Sequence, residues 1–243
     1  MVVSKAAAAR TELPVPPRTR IRWSRAHRII PSRFPPVDLF ERIADPKDWE
    51  LLARLETRTN PRAREAWGEI ALVPPERRVA GPGASWVMAP FCHVNAAGSR
   101  FGDGSFGVYY AAKDLLTAVT ETAFHLGRFF AATREPVTRA TMRVLVGKLD
   151  ATLEDLRDSA YAALFDPDDW RVSQAFGRSR RADHCDGFVY PSVRRPGGDC
   201  VALFWPDVPG IPTQERHLVY EWNGSHVARW FDPQDETWHS LSL

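Results

Sequence analysis

From Asp186 to Asp232, four short apolar runs (DGFVYPSV, DCVALFWPD, RHLVYEW and HVARWFD) follow one another with no helical segment between them. Each is rich in β-branched or aromatic residues and bounded by Pro, Gly, Asn or Asp, the pattern of a strand. Parallel neighbours need long crossovers, so strands in direct succession argue against a doubly wound sheet and predict a mixed or antiparallel one. Asn223-Gly224 between the last two is a strong signal for a two-residue hairpin loop. Just upstream, ATMRVLVGKL reads as a further strand, and DDWRVSQAFGRSRR as an amphipathic helix whose basic end suits the helix dipole. The fold class is α+β.

The first half supplies helices. VDLFERIA (37–44) and PKDWELLARLE (46–56) have helical patterning, the second with Pro46 where a first turn tolerates it. A third helix is signalled by Asn60 as cap, Pro61, and Ala63, Ala66, Trp67 and Ile70 at helical spacing. Together these form a front layer, ended by the Pro- and Gly-rich PPERRVAGPGAS. WVMAPF after it is read as a buried strand. With 243 residues and ordinary apolar and charged fractions, the chain can bury a sizeable core as a single domain over 35–243.

Net charge is +2, yet residues 1–34 hold eight basic side chains against Glu12 alone, which leaves the arm at +7 and the rest at −5. The arm is expected to be weakly ordered, packing on its own body or touching nucleic acid or an acidic partner. No apolar run is long enough to span a bilayer, and the start MVVSKAAAARTE is too short and too charged for a secretory signal, so a cytoplasmic protein is expected. Cys92, Cys185 and Cys200 are odd in number and far apart, which suits reduced, buried thiols.

The stretch Ser99–Phe130 carries the chemistry. A fixed cation, Arg100, precedes a loop of small residues. The strand FGVYYAA then carries the aromatic pair Tyr109 and Tyr110, and Asp114 caps a helix. On that helix Leu115, Val119, Ala123, Leu126 and Phe130 form the core face. Ala118, Glu121, His125 and Arg128 share another, so Glu121 and His125 project together into a cleft or into water. A carboxylate among apolar and aromatic neighbours costs free energy unless it is paired or used. Rival chemistries find no footing: there is no GxxxxGK[ST] loop, the glycines at 102, 104 and 107 lack dinucleotide-fold spacing, and Ser192 sits in YPSVR rather than G-x-S-x-G. Cys92-His93 and His184-Cys185 lack zinc spacing, so no metal site is expected.

Arg100-Phe101, GVYYAA, Ala118 to Glu121-Thr122 and the downstream DGFVYPSVRRPGGDCVALF resemble, in order and spacing, the RES-domain family, named for its Arg, Glu and Ser. The likeness is strongest over 99–207, with a weaker match at LFERI that includes Arg42. It implies an ADP-ribosyltransferase-like fold and a toxin of a bacterial toxin-antitoxin pair. Such a toxin consumes NAD by hydrolysis or phosphorolysis, or transfers ADP-ribose to a protein, with no cofactor beyond NAD as substrate. It also implies a cognate antitoxin over the cleft, with nucleic acid met only through that antitoxin and no membrane. By position, the likeness assigns Glu121 and Ser192 to catalysis and Arg100, Tyr110, His125 and Arg42 to NAD binding. The residue types suit the reaction: a carboxylate stabilises an oxocarbenium-like centre, and a planar guanidinium grips diphosphate. Tyr110 can stack on a flat ring, and Ser192 can donate to phosphate or carboxamide. Each also has an innocent alternative: Arg100 as a surface ion pair, Tyr110 as core, Ser192 as a turn hydroxyl, Glu121 and His125 as exposed neighbours. A non-enzymatic module binding nucleic acid or a partner through the basic arm is the competing class.

Overall fold

Ile21 and Trp23, buried between exposed arginines, begin an in-out alternation that draws much of the basic arm into the sheet as β1 (Arg18–Pro31). The computed structural model describes residues 13–33, 45–59 (backbone only from 55) and 68–242. Over that span β1 is followed by α1 (Trp49–Thr59), α2 (Ala84–Cys92), β2 (Tyr109–Ala112), α3 (Leu115–Thr133) and β3 (Thr138–Asp155). Then come α4 (Arg171–Ala182), β4 (Gly187–Pro191), β5 (Asp199–Leu203), β6 (Thr213–Trp222), β7 (Val227–Asp232) and β8 (Thr237–Ser240).

The expectation of a weakly ordered arm is corrected for residues 18–31. β1 runs antiparallel to β3 from Arg18 opposite Glu154 to Pro31 opposite Met142, with a register shift between Trp23 and Ala26. The charge asymmetry is what joins them: Arg20 Nε donates to Asp150 at 2.6 Å, Arg22 lies 3.6 Å from the same carboxylate, and Arg25 pairs with Glu215. The acidic body neutralises the basic arm.

The eight strands form one sheet in the order β1-β2-β5-β4-β3-β6-β7-β8, with β1 also paired to β3. Five strands therefore close into a ring, and β6, β7 and β8 extend it from β3. Only β3 and β4 pair in parallel, through Glu154 with Phe188 and Asp155 with Val189; the rest is antiparallel. This is the α+β class expected from the succession of strands. Asn223-Gly224 does start a hairpin, but Trp222 pairs with Val227, so the loop has four residues. The Asn223 side chain sets that length by accepting from the Ser225 and His226 amides at 2.9 and 3.0 Å.

WVMAPF, expected as a strand, lies in helix α2, whose Ala84, Val87, Met88, Phe91 and Cys92 are buried. A short, uniformly apolar run suits a buried helix as well as a buried strand, and periodicity cannot separate the two. Helix α1 agrees with the sequence, after a 3-10 turn over Pro46–Asp48. The predicted helix over 37–44, Arg42 within it, and residues 60–67 of the third lie outside the described residues; Ile70 is buried in a 3-10 turn, Ile70–Leu72.

The core lies on both sides of the sheet. One cluster joins Val119, Ala123 and Phe130 of α3 to Phe188, Phe204, Leu218 and Tyr220. The other packs Trp49, Val87, Met88 and Phe91 against Ile21, Trp23 and Leu153. Each large apolar side chain so buried contributes roughly 1.5–3 kcal/mol. Helix α4 comes very close to the Phe101 turn because residue 177 is glycine; a Cβ there would sit 2.2 Å from the Phe101 carbonyl oxygen.

Candidate active site

Helix α3 starts on Asp114, whose side chain accepts from the Thr117 amide at 2.9 Å and the Thr117 hydroxyl at 2.7 Å. With Val119, Ala123 and Phe130 fixed in the core, Glu121 and His125 are turned to the other side, as their spacing predicted. That side is one wall of a cleft of about 600 Å³. Arg100, Tyr110, Glu121 and His125 all line it, so the loop before β2, β2 itself and one face of α3 meet there; Ser192 is not among the lining residues.

Ser192, in the turn after β4, stands behind Glu121. Its hydroxyl donates to Glu121 Oε1 at 2.6 Å, and the Val193 amide donates to the same oxygen at 3.1 Å. Ser192 Oγ also accepts from the Arg195 amide at 3.0 Å, so it is a turn hydroxyl and a carboxylate clamp at once. Its proton is committed to Glu121 rather than directed at a ligand. Glu121 Oε2, by contrast, makes no hydrogen bond among the described residues and lies 3.9 Å from His125 Nε2. Burial lowers the His125 pKa, as do Arg194, Arg100 and Arg128, while Glu121 opposes them. The imidazole beside the carboxylate is therefore held toward its neutral form.

Arg100 is buried and is not the surface ion pair of its innocent reading. Its Nη1 donates to the carbonyls of Asp166 at 2.9 Å and Leu164 at 3.2 Å, while Nε and Nη2 find no acceptor among the described residues. The Tyr110 hydroxyl lies 2.8 Å from Ser99 Oγ and accepts from the Phe101 amide at 3.0 Å, which fixes the turn that presents Arg100. Burial pushes the Tyr110 pKa up to about 12, so it stays a phenol. Gln174 of α4 braces the same turn, its Nε2 donating to the Ser99 carbonyl at 3.0 Å.

Three cleft residues escaped the sequence analysis as site residues. Arg28 of β1, grouped with the basic arm, donates to the Tyr110 carbonyl at 3.0 Å and lies 4.6 Å from the Tyr109 ring centroid. An arginine flanked by His27 and Ile29 in an alternating strand was the signal available. Arg128, noted on the Glu121 face but given no role, lines the cleft as well. Trp170, just before α4, packs its ring against His125 at a centroid distance of 5.6 Å; nothing in DDWRV marked it. Arg42 lies outside the described residues. Among them, no three His, Cys, Asp or Glu side chains converge on a metal-binding point, and no helix is long and apolar enough to cross a membrane.

Comparison with known proteins adds three likenesses. A sequence model of the RES domain matches residues 75–223. The uncharacterized protein y4oC of Sinorhizobium fredii (strain NBRC 101917 / NGR234) is 31% identical over 202 residues, spanning 83% of this chain and 84% of that one. Among solved structures, the M. tuberculosis MbcT-MbcA toxin-antitoxin complex matches with a TM-score of 0.41 at 14% identity, covering 84% of this chain and 87% of the matched one.

Proposed function

This chain belongs to the RES-domain family, and on that premise we propose that it is a toxin-like enzyme that breaks the nicotinamide-ribose bond of NAD. The observation that carries the proposal is the division of labour at Glu121. One oxygen is held by Ser192 and the Val193 amide, and the other is left facing a cleft whose further walls include Arg28 and Arg100. Cleavage leaves positive charge on the ribose anomeric carbon and its ring oxygen as neutral nicotinamide departs. A carboxylate oxygen fixed beside that carbon stabilises the charge without reorganising. The arginines match the other end of the chemistry, the substrate's diphosphate.

In this reading Glu121 is the catalytic residue and Ser192 a positioning residue that acts through it. The ADP-ribosyl cation is then captured by water, by inorganic phosphate or by a nucleophile on a protein. Incubation with NAD labelled in the ADP-ribose half tests the proposal: nicotinamide should appear in step with label on ADP-ribose, on its phosphate ester or on protein. NAD left intact by the pure chain would overturn it. A cognate antitoxin is the expected partner and covers the cleft. The rival reading, nucleic-acid binding by the basic arm, is weakened because Arg20, Arg22 and Arg25 already face Asp150 and Glu215.

The Arg100 role has its own test. In a Glu121→Gln background, which removes turnover, Arg100→Ala should weaken NAD binding by calorimetry about tenfold to a hundredfold, the range for a lost charge-assisted contact. Unchanged affinity would remove Arg100 from the binding set and leave it as the brace of the Leu164 and Asp166 carbonyls.

A further inference from the structure

We infer that Arg128, held against Trp170, is a phosphoryl-binding residue of the cleft; the inference rests on the proposed NAD chemistry and assigns it a further residue. Arg128 lies on α3 two turns beyond Glu121 and lines the same cleft. Its guanidinium is 5.1 Å from the Trp170 ring centroid and 5.9 Å from that of Phe124. Among the described residues it forms no ion pair and no hydrogen bond, although guanidinium carries five donors.

Trp170 also lies 5.8 Å from the Arg100 guanidinium, so two cations share one indole. Attraction to the ring's π face partly offsets their repulsion, worth about 0.5–2 kcal/mol per contact. Glu121, the carboxylate that lines the cleft among the described residues, is bonded to neither guanidinium: Oε1 accepts from Ser192 and the Val193 amide, and Oε2 lies 3.9 Å from His125 Nε2. Two planar forks on one aromatic plate, neither of them bonded to a carboxylate among the described residues, fit a tetrahedral phosphoryl oxyanion, which offers several acceptor oxygens to each fork. Trp170 is then a positioning residue that sets the spacing of the two guanidinium groups. In NAD chemistry such an oxyanion has two sources: the substrate's diphosphate, or free inorganic phosphate acting as acceptor.

Arg128→Ala separates them. Arg128 is exposed, so the melting temperature and circular dichroism should match those of the wild type. If the diphosphate is the ligand, ADP-ribose affinity by calorimetry falls about tenfold to a hundredfold and KM for NAD rises alike, with kcat nearly unchanged, with or without phosphate in the buffer. If free phosphate is the ligand, ADP-ribose affinity and the phosphate-free rate hold while KM for phosphate rises by a similar factor. Trp170→Ala should shift the same constant in the same direction, and the double variant should add little to Arg128→Ala alone. Arg128→Lys, which keeps the charge and loses the fork, should recover part of the effect.

A wild-type chain that consumes NAD, with neither ADP-ribose affinity nor phosphate dependence altered in Arg128→Ala, overturns the inference while the function stands. A wild-type chain that binds ADP-ribose or inorganic phosphate through Arg128 but releases no nicotinamide leaves the anion site standing and removes the proposed reaction.

Discussion

Glu121→Gln is expected to lower nicotinamide release from NAD by about three orders of magnitude, the scale of losing a preorganised charge beside a developing one. The substitution keeps shape and most packing. The amide oxygen can still accept from the Ser192 hydroxyl and the Val193 amide, which in the wild type reach Oε1 at 2.6 and 3.1 Å. What disappears is the negative charge at the position of Oε2, the oxygen that faces the cleft. Stability should barely move, because the side chain is only partly buried and its replacement is neutral. Substrate affinity should also survive, since the charge matters chiefly when the ribose becomes cationic. Initial rates of nicotinamide release, with melting curves on the same samples, measure both. A variant with wild-type kcat would end the assignment of Glu121, whatever its melting temperature.

Much of this arrangement could be read along the chain, and the part that could not has identifiable physical causes. Local signals were reliable where one element sets its own geometry. Asp114 caps α3, and the heptad-like spacing from Leu115 to Phe130 turns Glu121 and His125 to one side. Strand succession after Asp186 is local as well, and it was enough to specify an antiparallel-rich sheet. Failures fall where a distant segment decides. The arginines of 18–25 look like a solvated tail until Asp150 and Glu215, more than a hundred residues away, are placed opposite them. WVMAPF carries no periodicity because α2 is buried on nearly every face. Trp170 and Arg28 join the cleft through sheet closure and the docking of α4, which no spacing rule encodes. The converse case is Ser192. Its order in the chain pointed to a functional serine, while its partner, Glu121 Oε1, needed the folded turn to be seen.

The docking of α4 leads to the largest expected effect on stability. Arg180 lies near the end of that helix, and its Nε and Nη2 hold the Glu154 carboxylate of β3 at 2.9 and 2.5 Å, while Nη1 reaches Asp183 at 2.6 Å. The Glu154 side chain is 1% exposed and that of Arg180 12% exposed. Arg180→Ala strands a carboxylate in the interior, and breaking a buried pair from one side costs about 3–5 kcal/mol. For a chain of this size that lowers the melting temperature by roughly 6–20 °C. Glu154→Met together with Arg180→Met removes both charges, so no group is left desolvated, and apolar pairs of similar volume often match or exceed a buried ion pair. The double variant should therefore melt well above Arg180→Ala. The same latch keeps Gln174 against the Ser99 carbonyl and glycine 177 against Phe101, so Arg180→Ala should also raise KM for NAD below its melting point, whereas the double variant should keep KM near wild type. Equal melting temperatures for Arg180→Ala and the wild type would show that α4 is held by its apolar face alone. The presentation of Arg100 would then owe nothing to the ion pair.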